Sequence, residues 1–155
     1  MLETTILAVG KLRSYYREAC DEYAGRLSRY VVIGEREVRE GRGTNSSVIE
    51  LDEGHRLQEK IPERAVLVAL AREGMPWSST DLAQRLERWT LEARPVAFAI
   101  GGSTGLASEF LKRAQFRWSL GPLTLPHELA RVVVYEQLYR ACTILRGEPY
   151  HKGKG

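Results

Sequence analysis

The residues best suited to chemistry lie in the last third of the chain, between Val96 and His151. An apolar run there ends in Gly101-Gly102, and a later loop over residues 119–126 carries no charged side chain. Loops that leave strand ends in an α/β protein are frequent ligand sites. We therefore expect this stretch to build a cofactor pocket and to present catalytic groups beside it.

The turn Gly102-Ser103-Thr104-Gly105 matches half of a nucleotide-binding glycine loop. Glycines let backbone N–H groups approach a ligand where a Cβ would clash. The turn is not G-x-G-x-x-G, and the chain contains no Walker A sequence. A tight turn without a ligand explains these residues as well as a binding site does.

The uncharged loop reads SLGPLTLP, residues 119–126. Surface loops usually carry charge, so we expect this loop to be partly buried or covered by something apolar. Its backbone N–H and C=O groups could bond the edge of an adenine. A connector packed on the core is the equally good alternative.

Histidines supply candidate proton acceptors near this loop. His127 stands where a helix is predicted to begin, a position at which a lone histidine is often structural. His151 follows Pro149 and Tyr150 in a short tail. Such tails usually fray, but a rigid proline and an aromatic side chain are unlike a solvated end.

The pattern of apolar residues predicts which strands and helices carry these candidate residues. The runs Ala65–Leu70 and Val96–Ile100 indicate strands buried on both faces, which is typical of a parallel sheet covered by helices. Ser46 or Ser47 is predicted to cap the second helix, Ser78 and Asp81 match a capping box, and residues 72–76 read as a turn. Further strands are predicted over residues 4–9, 31–38 and 116–120, and helices over 12–30, 48–60, 78–91, 106–115 and 127–145. Because strands alternate with helices, the predicted class is α/β, with a mostly parallel sheet and helices on both faces.

Composition bounds the remaining possibilities. The chain has 155 residues, 43% hydrophobic and 28% charged, which fits a single domain over residues 1–155. No apolar run reaches the roughly 20 residues of a membrane helix, and no secretory leader begins the chain. Cys20 and Cys142 lack metal-ligand spacing. We expect a cytoplasmic protein with reduced thiols, no membrane contact and no metal.

Charge and missing motifs narrow the function classes. The net charge of +3, with Arg146, Lys152 and Lys154 near the end, permits an anionic partner without establishing one. The chain contains no HExxH, no CxxC pair and no G-x-S-x-G. Metalloprotease, zinc-ribbon and serine-hydrolase interpretations therefore lose their support.

Several segments together resemble the RlmH family of SPOUT methyltransferases. They are IGGSTGL, WSLGPLTLPHELARVVVYEQLYRA and PYHK, with VGKLRSYY, EYAGRLSRY, EGHRL and SSTDLA similar as well, so that the resemblance spans essentially the whole chain. It implies an S-adenosyl-L-methionine-dependent enzyme that methylates N3 of a pseudouridine in 23S rRNA. It also implies a homodimer and a C-terminal trefoil knot (the SPOUT, or α/β-knot, fold), which periodicity cannot reveal.

The resemblance also implies roles for particular residues. The implied cofactor contacts are Leu70, Gly102, Gly121, Pro122, Leu123, Thr124, Leu125 and Pro126. The implied substrate-site residues are Tyr150 and His151, with Arg131, Glu136 and Arg140 of the last helix. Ala71 departs from the Asp of many relatives, which puts a polar contact there in question but not the backbone contacts.

The expected chemistry needs a proton acceptor and RNA contacts. We expect the base that takes the N3 proton to be His151, His127 or Glu136, in that order. Arg131, Arg140 and Lys152 are expected to meet phosphates. Because the chain is small and has no appended RNA-binding domain, we expect it to recognise the assembled ribosome and not naked RNA.

Two other functions remain open at this level. One is a non-catalytic ribosome-binding module that keeps the knot. The other is a small-molecule nucleotide enzyme of the doubly wound type, which only the partial glycine loop supports.

Overall fold

Five strands form one parallel sheet in a computed structural model that describes residues 1–152. They are β1 (Glu3–Val9), β2 (Val32–Val38), β3 (Val66–Met75), β4 (Val96–Ile100) and β5 (Phe116–Trp118). Their order across the sheet is β2-β1-β4-β3-β5, and each neighbouring pair is parallel. Lys154 of the predicted basic tail lies outside the described residues.

Helices cover both faces of the sheet. They are α1 (Ser14–Leu27), α2 (Ser46–Glu59), α3 (Ser79–Leu91), α4 (Ser108–Leu111) and α5 (His127–Leu145). Helix α5 packs between α1 and α3 on one face, while α2 and α4 pack together on the other. The predicted α/β class, with a parallel sheet between two helical layers, is confirmed.

Alternating strand residues feed two separate cores. On β1, Ile6 and Ala8 belong to the core under α1, α3 and α5, whereas Leu7 and Val9 belong to the core under α2 and α4. Every residue of β4 is buried. A strand covered on both faces has no polar side to show, which explains the continuous apolar runs in the sequence.

One predicted helix cap is confirmed and one is wrong. Ser78 and Asp81 form the capping box at the start of α3. At α2 the cap is Asn45, not Ser46 or Ser47. The Asn45 side chain accepts the Val48 N–H at 3.0 Å from an extended backbone, so both serines fall inside the helix.

The segment predicted as a turn over residues 72–76 is strand instead. Strand β3 continues through a bulge after Leu70, and Met75 pairs with Trp118 on β5. A Cβ on Gly74 would lie 2.6 Å from the carbonyl carbon of Arg117, so glycine is needed there for the two backbones to meet. The sequence showed a glycine and a proline, but not the partner strand.

The helix predicted over residues 106–115 is also shorter than expected, because α4 ends at Leu111. Gln115 bonds Leu67 of β3 twice, through its backbone N–H at 3.0 Å and its side-chain oxygen at 2.6 Å. Pairing with the sheet therefore outcompetes helix propensity, and β5 begins one residue later. That strand ends at Trp118 and not at Leu120.

Arg131 anchors α5 to the sheet. Its side chain is 1% exposed, and its guanidinium pairs with Glu35 and Glu37 of β2. It also donates to the carbonyl of Gly10, just after β1, at 2.9 Å. Burial argues against the predicted contact of Arg131 with RNA phosphate, because Glu35, Glu37 and the Gly10 carbonyl enclose the guanidinium and leave it almost no free surface.

Neighbouring groups complete this ion-pair network. Arg17 of α1 binds both Glu35 oxygens, at 2.7 and 2.9 Å, and the Tyr135 hydroxyl also donates to Glu35. Burial alone would raise the pKa of Glu35, but the bonds from Arg17 and Tyr135 and the charge of Arg131 outweigh it and hold the pKa at about 2. Burial and the same carboxylate raise the pKa of Tyr135. Glu35 is therefore ionised at neutral pH, and Tyr135 is a neutral donor.

Replacing Arg131 with methionine is expected to lower the free energy of unfolding by about 3–5 kcal/mol, because two carboxylates lose their buried partner. Urea denaturation at neutral pH measures this. The matched control is Arg88→Met, which breaks the exposed Arg88–Glu92 pair and should cost less than about 1 kcal/mol. Similar losses in both variants would contradict the anchoring role.

Candidate functional site

One cavity of about 690 Å3 opens across the carboxyl ends of β3, β4 and β5. This volume falls in the range of roughly 300–1,000 Å3 that is usual for small-molecule sites. The lining residues are Leu70, Ala71, Arg72, Gly102, Ser103, Thr104, Gly105, Trp118, Leu120, Gly121, Leu123, Thr124, Leu125, Pro126, His127 and Ala130. Three strand ends and the first turn of α5 thus converge on a single concave site.

The turn after β4 supplies one wall. A Cβ on Gly101 would lie 2.6 Å from the carbonyl carbon of Gly105, and a Cβ on Gly102 would lie 3.1 Å from a Glu53 oxygen. Gly105 has a positive φ of 92° and returns its N–H to the Gly102 carbonyl at 3.0 Å. Close packing therefore requires the glycines, as a tight turn would. The same turn also lines the cavity, as a ligand-binding loop would, so both sequence interpretations apply to it.

The uncharged loop supplies the facing wall. Leu120 and Leu125 pack against the core, while Leu123 is 77% exposed at the cavity. Gly121 adopts a φ of 115°, and its N–H is 3.1 Å from the Ser119 hydroxyl. The loop is thus a core-packed connector at its ends and a wall of the cavity between them.

The structure brings together nearly all the residues expected to bind a cofactor. All of them line the cavity except Pro122, which is exposed in the same loop. Ala71, where the resemblance led us to expect an Asp, also lines it and offers no polar side-chain group. This position therefore contributes wall surface to the cavity and no polar side-chain contact.

Sequence reasoning missed several lining residues. Arg72 directly follows the recognised residues Leu70 and Ala71, so its position beside a strand end was the available signal, whereas Ser103 and Thr104 belong to the glycine turn already predicted as a possible binding site. Trp118 gave no such signal, because it read as an ordinary strand residue. Its side chain is 2% exposed, and within residues 1–152 its indole N–H has no hydrogen-bond partner.

The four residues expected to be catalytic form one cluster, which we call the tail cluster: Glu136, Arg140, Tyr150 and His151. Arg140 binds a Glu136 oxygen at 2.8 Å, and the Tyr150 hydroxyl donates to the same oxygen at 2.9 Å. Another Arg140 nitrogen is 3.1 Å from His151 Nδ1. The tail after α5 is thus held on the helix and does not fray through His151.

Ring contacts reinforce the tail cluster. Tyr150 packs edge-on against Tyr139, with ring centroids 4.7 Å apart, and the Arg140 guanidinium lies 4.8 Å from the Tyr150 ring centre. Burial raises the pKa of Tyr150, and its bonds to Glu136 and Tyr23 raise it further. Tyr150 is therefore a hydrogen-bond donor at neutral pH and not a base.

The tail cluster does not line the cavity within one chain. The cavity reaches α5 at His127 and Ala130, whereas Glu136 lies six residues further, roughly 9 Å along the helix axis. The expectation that these catalytic groups stand beside the pocket is not met by a single chain. Of the candidate bases in the described residues, only His127 lines the cavity.

No helix in the described part of the chain is long and apolar enough to cross a membrane. Residues 1–152 hold no group of three or more His, Cys, Asp or Glu side chains that could bind a metal ion.

Solved structures share this fold. A protein from Haemophilus influenzae, described as a probable methylase family protein, matches with a TM-score of 0.60 and 14% identity over 99% of this chain and 72% of that chain. A Legionella pneumophila methyltransferase, solved with the bound cofactor SAM, matches with a TM-score of 0.53 and 13% identity over 90% and 66%. At this low identity the likeness shows a shared α/β fold.

The sequence comparisons name the family. Residues 2–151 match the family described as "Predicted SPOUT methyltransferase", so the chain belongs to the SPOUT methyltransferases. Proteins from Pseudomonas fluorescens and Rubrobacter xylanophilus, named ribosomal RNA large subunit methyltransferase H, are 43% and 49% identical to it. Each match covers 95% of this chain and 97% or 96% of the relative. The resemblance is confirmed, and it places the chain in the knotted α/β class; the threading of the trefoil itself stays a prediction.

Replacing Glu136 with alanine should release the tail, because Tyr150 and Arg140 lose their shared acceptor. Hydrogen exchange of residues 147–152 is expected to rise at least tenfold while exchange in β1 and β4 stays unchanged. Glu136→Gln keeps an acceptor oxygen and should show a smaller rise. Unchanged exchange in the alanine variant would contradict this account of the tail.

Proposed function

We propose that this protein transfers a methyl group from S-adenosylmethionine to N3 of a pseudouridine in 23S rRNA of the large ribosomal subunit. The observation that carries the proposal is the single cavity at three strand ends, lined by nearly every residue expected to hold the cofactor. Relatives from two distant bacteria named as large-subunit rRNA methyltransferases support the substrate.

The residues present fit S-adenosylmethionine. Leu70, Leu123 and Leu125 offer apolar surface to an adenine ring, and the turn at Gly102 offers backbone groups. The unpartnered indole N–H of Trp118 is a buried donor on the same wall. When bound, the cofactor supplies a methyl group on a sulfonium, which is already a good leaving group.

The protein's own task is positioning and proton removal. Holding the acceptor nitrogen at attack distance is expected to provide most of the rate enhancement. N3 of pseudouridine carries a proton, which must leave before or during the attack, so a base or a water chain is needed. His151 remains the preferred base and His127 the second.

The structure argues against the third candidate base. Glu136 already accepts bonds from Arg140, Tyr150 and Gln137. A carboxylate with three donors holds its neighbours in place, and its oxygens are already occupied by those bonds. We therefore assign Glu136 to positioning the tail.

Within one chain the tail cluster lies away from the cavity, and a second copy of the chain could bring its own tail cluster to that cavity. We propose a homodimer in which the cofactor cavity of one protomer faces the tail cluster of the other. The separation of the cavity and the tail cluster within one chain supports this arrangement. In such a dimer the cavity residues and the tail cluster could act on the same substrate. The reaction is placed in the cytoplasm, on the assembled ribosome.

Transfer of labelled methyl groups tests this function. Ribosomes that lack the modification should be labelled, and naked 23S rRNA should be labelled at least tenfold less, because the proposed recognition depends on the surface of the assembled ribosome. Equal labelling of both substrates would contradict ribosome recognition.

Cofactor binding with no labelling of either substrate would favour the non-catalytic ribosome-binding module. Binding of a dinucleotide in preference to S-adenosylmethionine would favour the nucleotide enzyme.

Replacing His151 with alanine should lower turnover on saturating ribosomes by about 100-fold, the lower end of the usual general-base effect. Cofactor affinity should stay within about twofold, because His151 does not line the cavity. The matched control is His55→Ala on the exposed side of α2, which should retain full turnover. Full turnover of the His151 variant would remove this residue as the base.

A further inference from the structure

A group of free cations lies along the carboxyl edge of the sheet, beside the cavity. Lys11 follows β1, Arg39 and Arg42 follow β2, and Arg72 lies at the cavity end of β3. All four are exposed, and none has a side-chain hydrogen bond or ion pair within residues 1–152. We call these four residues the edge cations.

Strand order places the edge cations along one edge of the sheet. Ala69 pairs with Ala99 and Ala8 with Ile100, while Val9 pairs with Val38. Arg72 lies three residues beyond Ala69, and Arg39 directly follows Val38. Strands β3 and β2 are three strand spacings apart, roughly 14 Å. The turn after β4 therefore lies between the two strands that carry these arginines.

A buried carboxylate fixes the loop that carries two of these cations. Glu53 of α2 is 4% exposed, and it accepts the Gly41 N–H at 2.9 Å. Its other oxygen lies 3.1 Å from the position of a Cβ on Gly102 and has no hydrogen-bond partner within residues 1–152. One side chain thus bonds the loop between Arg39 and Arg42 and packs against the turn that lines the cavity.

Few negative charges offset the edge cations. Glu37 is used by Arg17 and Arg131, and Asp52 is paired with Arg56. Glu40 lies against Gly10, 3.1 Å from the position of a Cβ there, Glu73 is exposed, and Glu50 lies near Glu53 on α2. Among the described residues, the four free cations therefore outnumber the three unpaired carboxylates, Glu40, Glu50 and Glu73, along this edge.

The residues first expected to meet phosphates are mostly unavailable. Arg131 is buried in its ion-pair network, and Arg140 is bound to Glu136 and His151. Of that set only Lys152 is exposed and free within the described part of the chain. A methyltransferase that acts on RNA must find its phosphate contacts elsewhere.

We propose that the edge cations bind the phosphate backbone of the RNA substrate and so align the target base with the cavity. The proposal rests on the function proposed above. Phosphate contacts of this kind position a nucleic acid without reading its sequence. Because Glu53 holds the loop at Gly41 and packs against Gly102, Arg39 and Arg42 have a fixed position relative to the turn that lines the cavity.

The test compares two double variants of the full chain. Arg39→Ala/Arg42→Ala removes two edge cations, and Lys60→Ala/Arg64→Ala removes two exposed charges at the amino end of β3. Each lowers the net charge equally, so differences between them report location and not total charge. Binding to unmodified ribosomes is measured at several salt concentrations, and S-adenosylmethionine affinity is measured by calorimetry.

The edge variant is expected to bind ribosomes about tenfold more weakly near physiological salt, with a salt slope smaller by roughly 1.4 for two lost phosphate contacts. The S-adenosylmethionine affinity of the edge variant should match that of the wild type. The charge-conserving variant Arg39→Lys/Arg42→Lys should show a salt dependence of ribosome binding close to that of the wild type. The amino-end variant should bind as the wild type does.

Equal binding by the wild type and the edge variant would overturn the proposal, as would equal weakening of both double variants. In either case, methyl transfer by the wild-type protein would show that the proposed function survives and only the edge contacts fail. A wild-type protein that neither binds nor methylates ribosomes would overturn both.

Discussion

The buried pairing of Arg131 with Glu35 and Glu37 determines where α5 lies, and α5 determines most of the site. The first turn of this helix lines the cavity at His127 and Ala130, and its later turns carry the tail cluster. Burying a cation is costly unless opposite charges and hydrogen-bond acceptors surround it. Here two carboxylates of β2 and the Gly10 carbonyl after β1 pair the two terminal nitrogens of the guanidinium, while Nε has no hydrogen-bond partner within residues 1–152. These contacts hold α5 against the ends of two strands.

Sequence patterns were reliable where burial alone decides structure. The runs Ala65–Leu70 and Val96–Ile100 are central strands, and the α5 range from His127 to Leu145 is as predicted. The patterns were unreliable where a segment far away in the sequence pairs with the residues in question and fixes their conformation. Gln115 leaves a helix because Leu67 offers backbone bonds, and β3 extends past Leu70 because β5 offers a partner. No window of local sequence contains that information.

The same distinction applies to the site. Residues that follow strand ends were predicted from the sequence together with the family resemblance, since the carboxyl ends of parallel strands meet at one edge. The structural role of Arg131 was not predicted. The helical sequence around an arginine does not show whether its side chain faces solvent or two buried carboxylates. The separation of the tail cluster from the cavity is likewise a matter of helix length and not of residue type.

The charges around α5 also bear on the two open edges of the sheet. Strand β2, one edge, carries Gly34, Glu35, Arg36 and Glu37 in succession, and β5, the other, has only three residues with exposed Arg117 in the middle. Short or highly charged edge strands resist pairing with strands of another molecule. The sheet is thereby protected from growing sideways into aggregates, and association between copies is directed to helices and loops, where the cavity and the tail also lie.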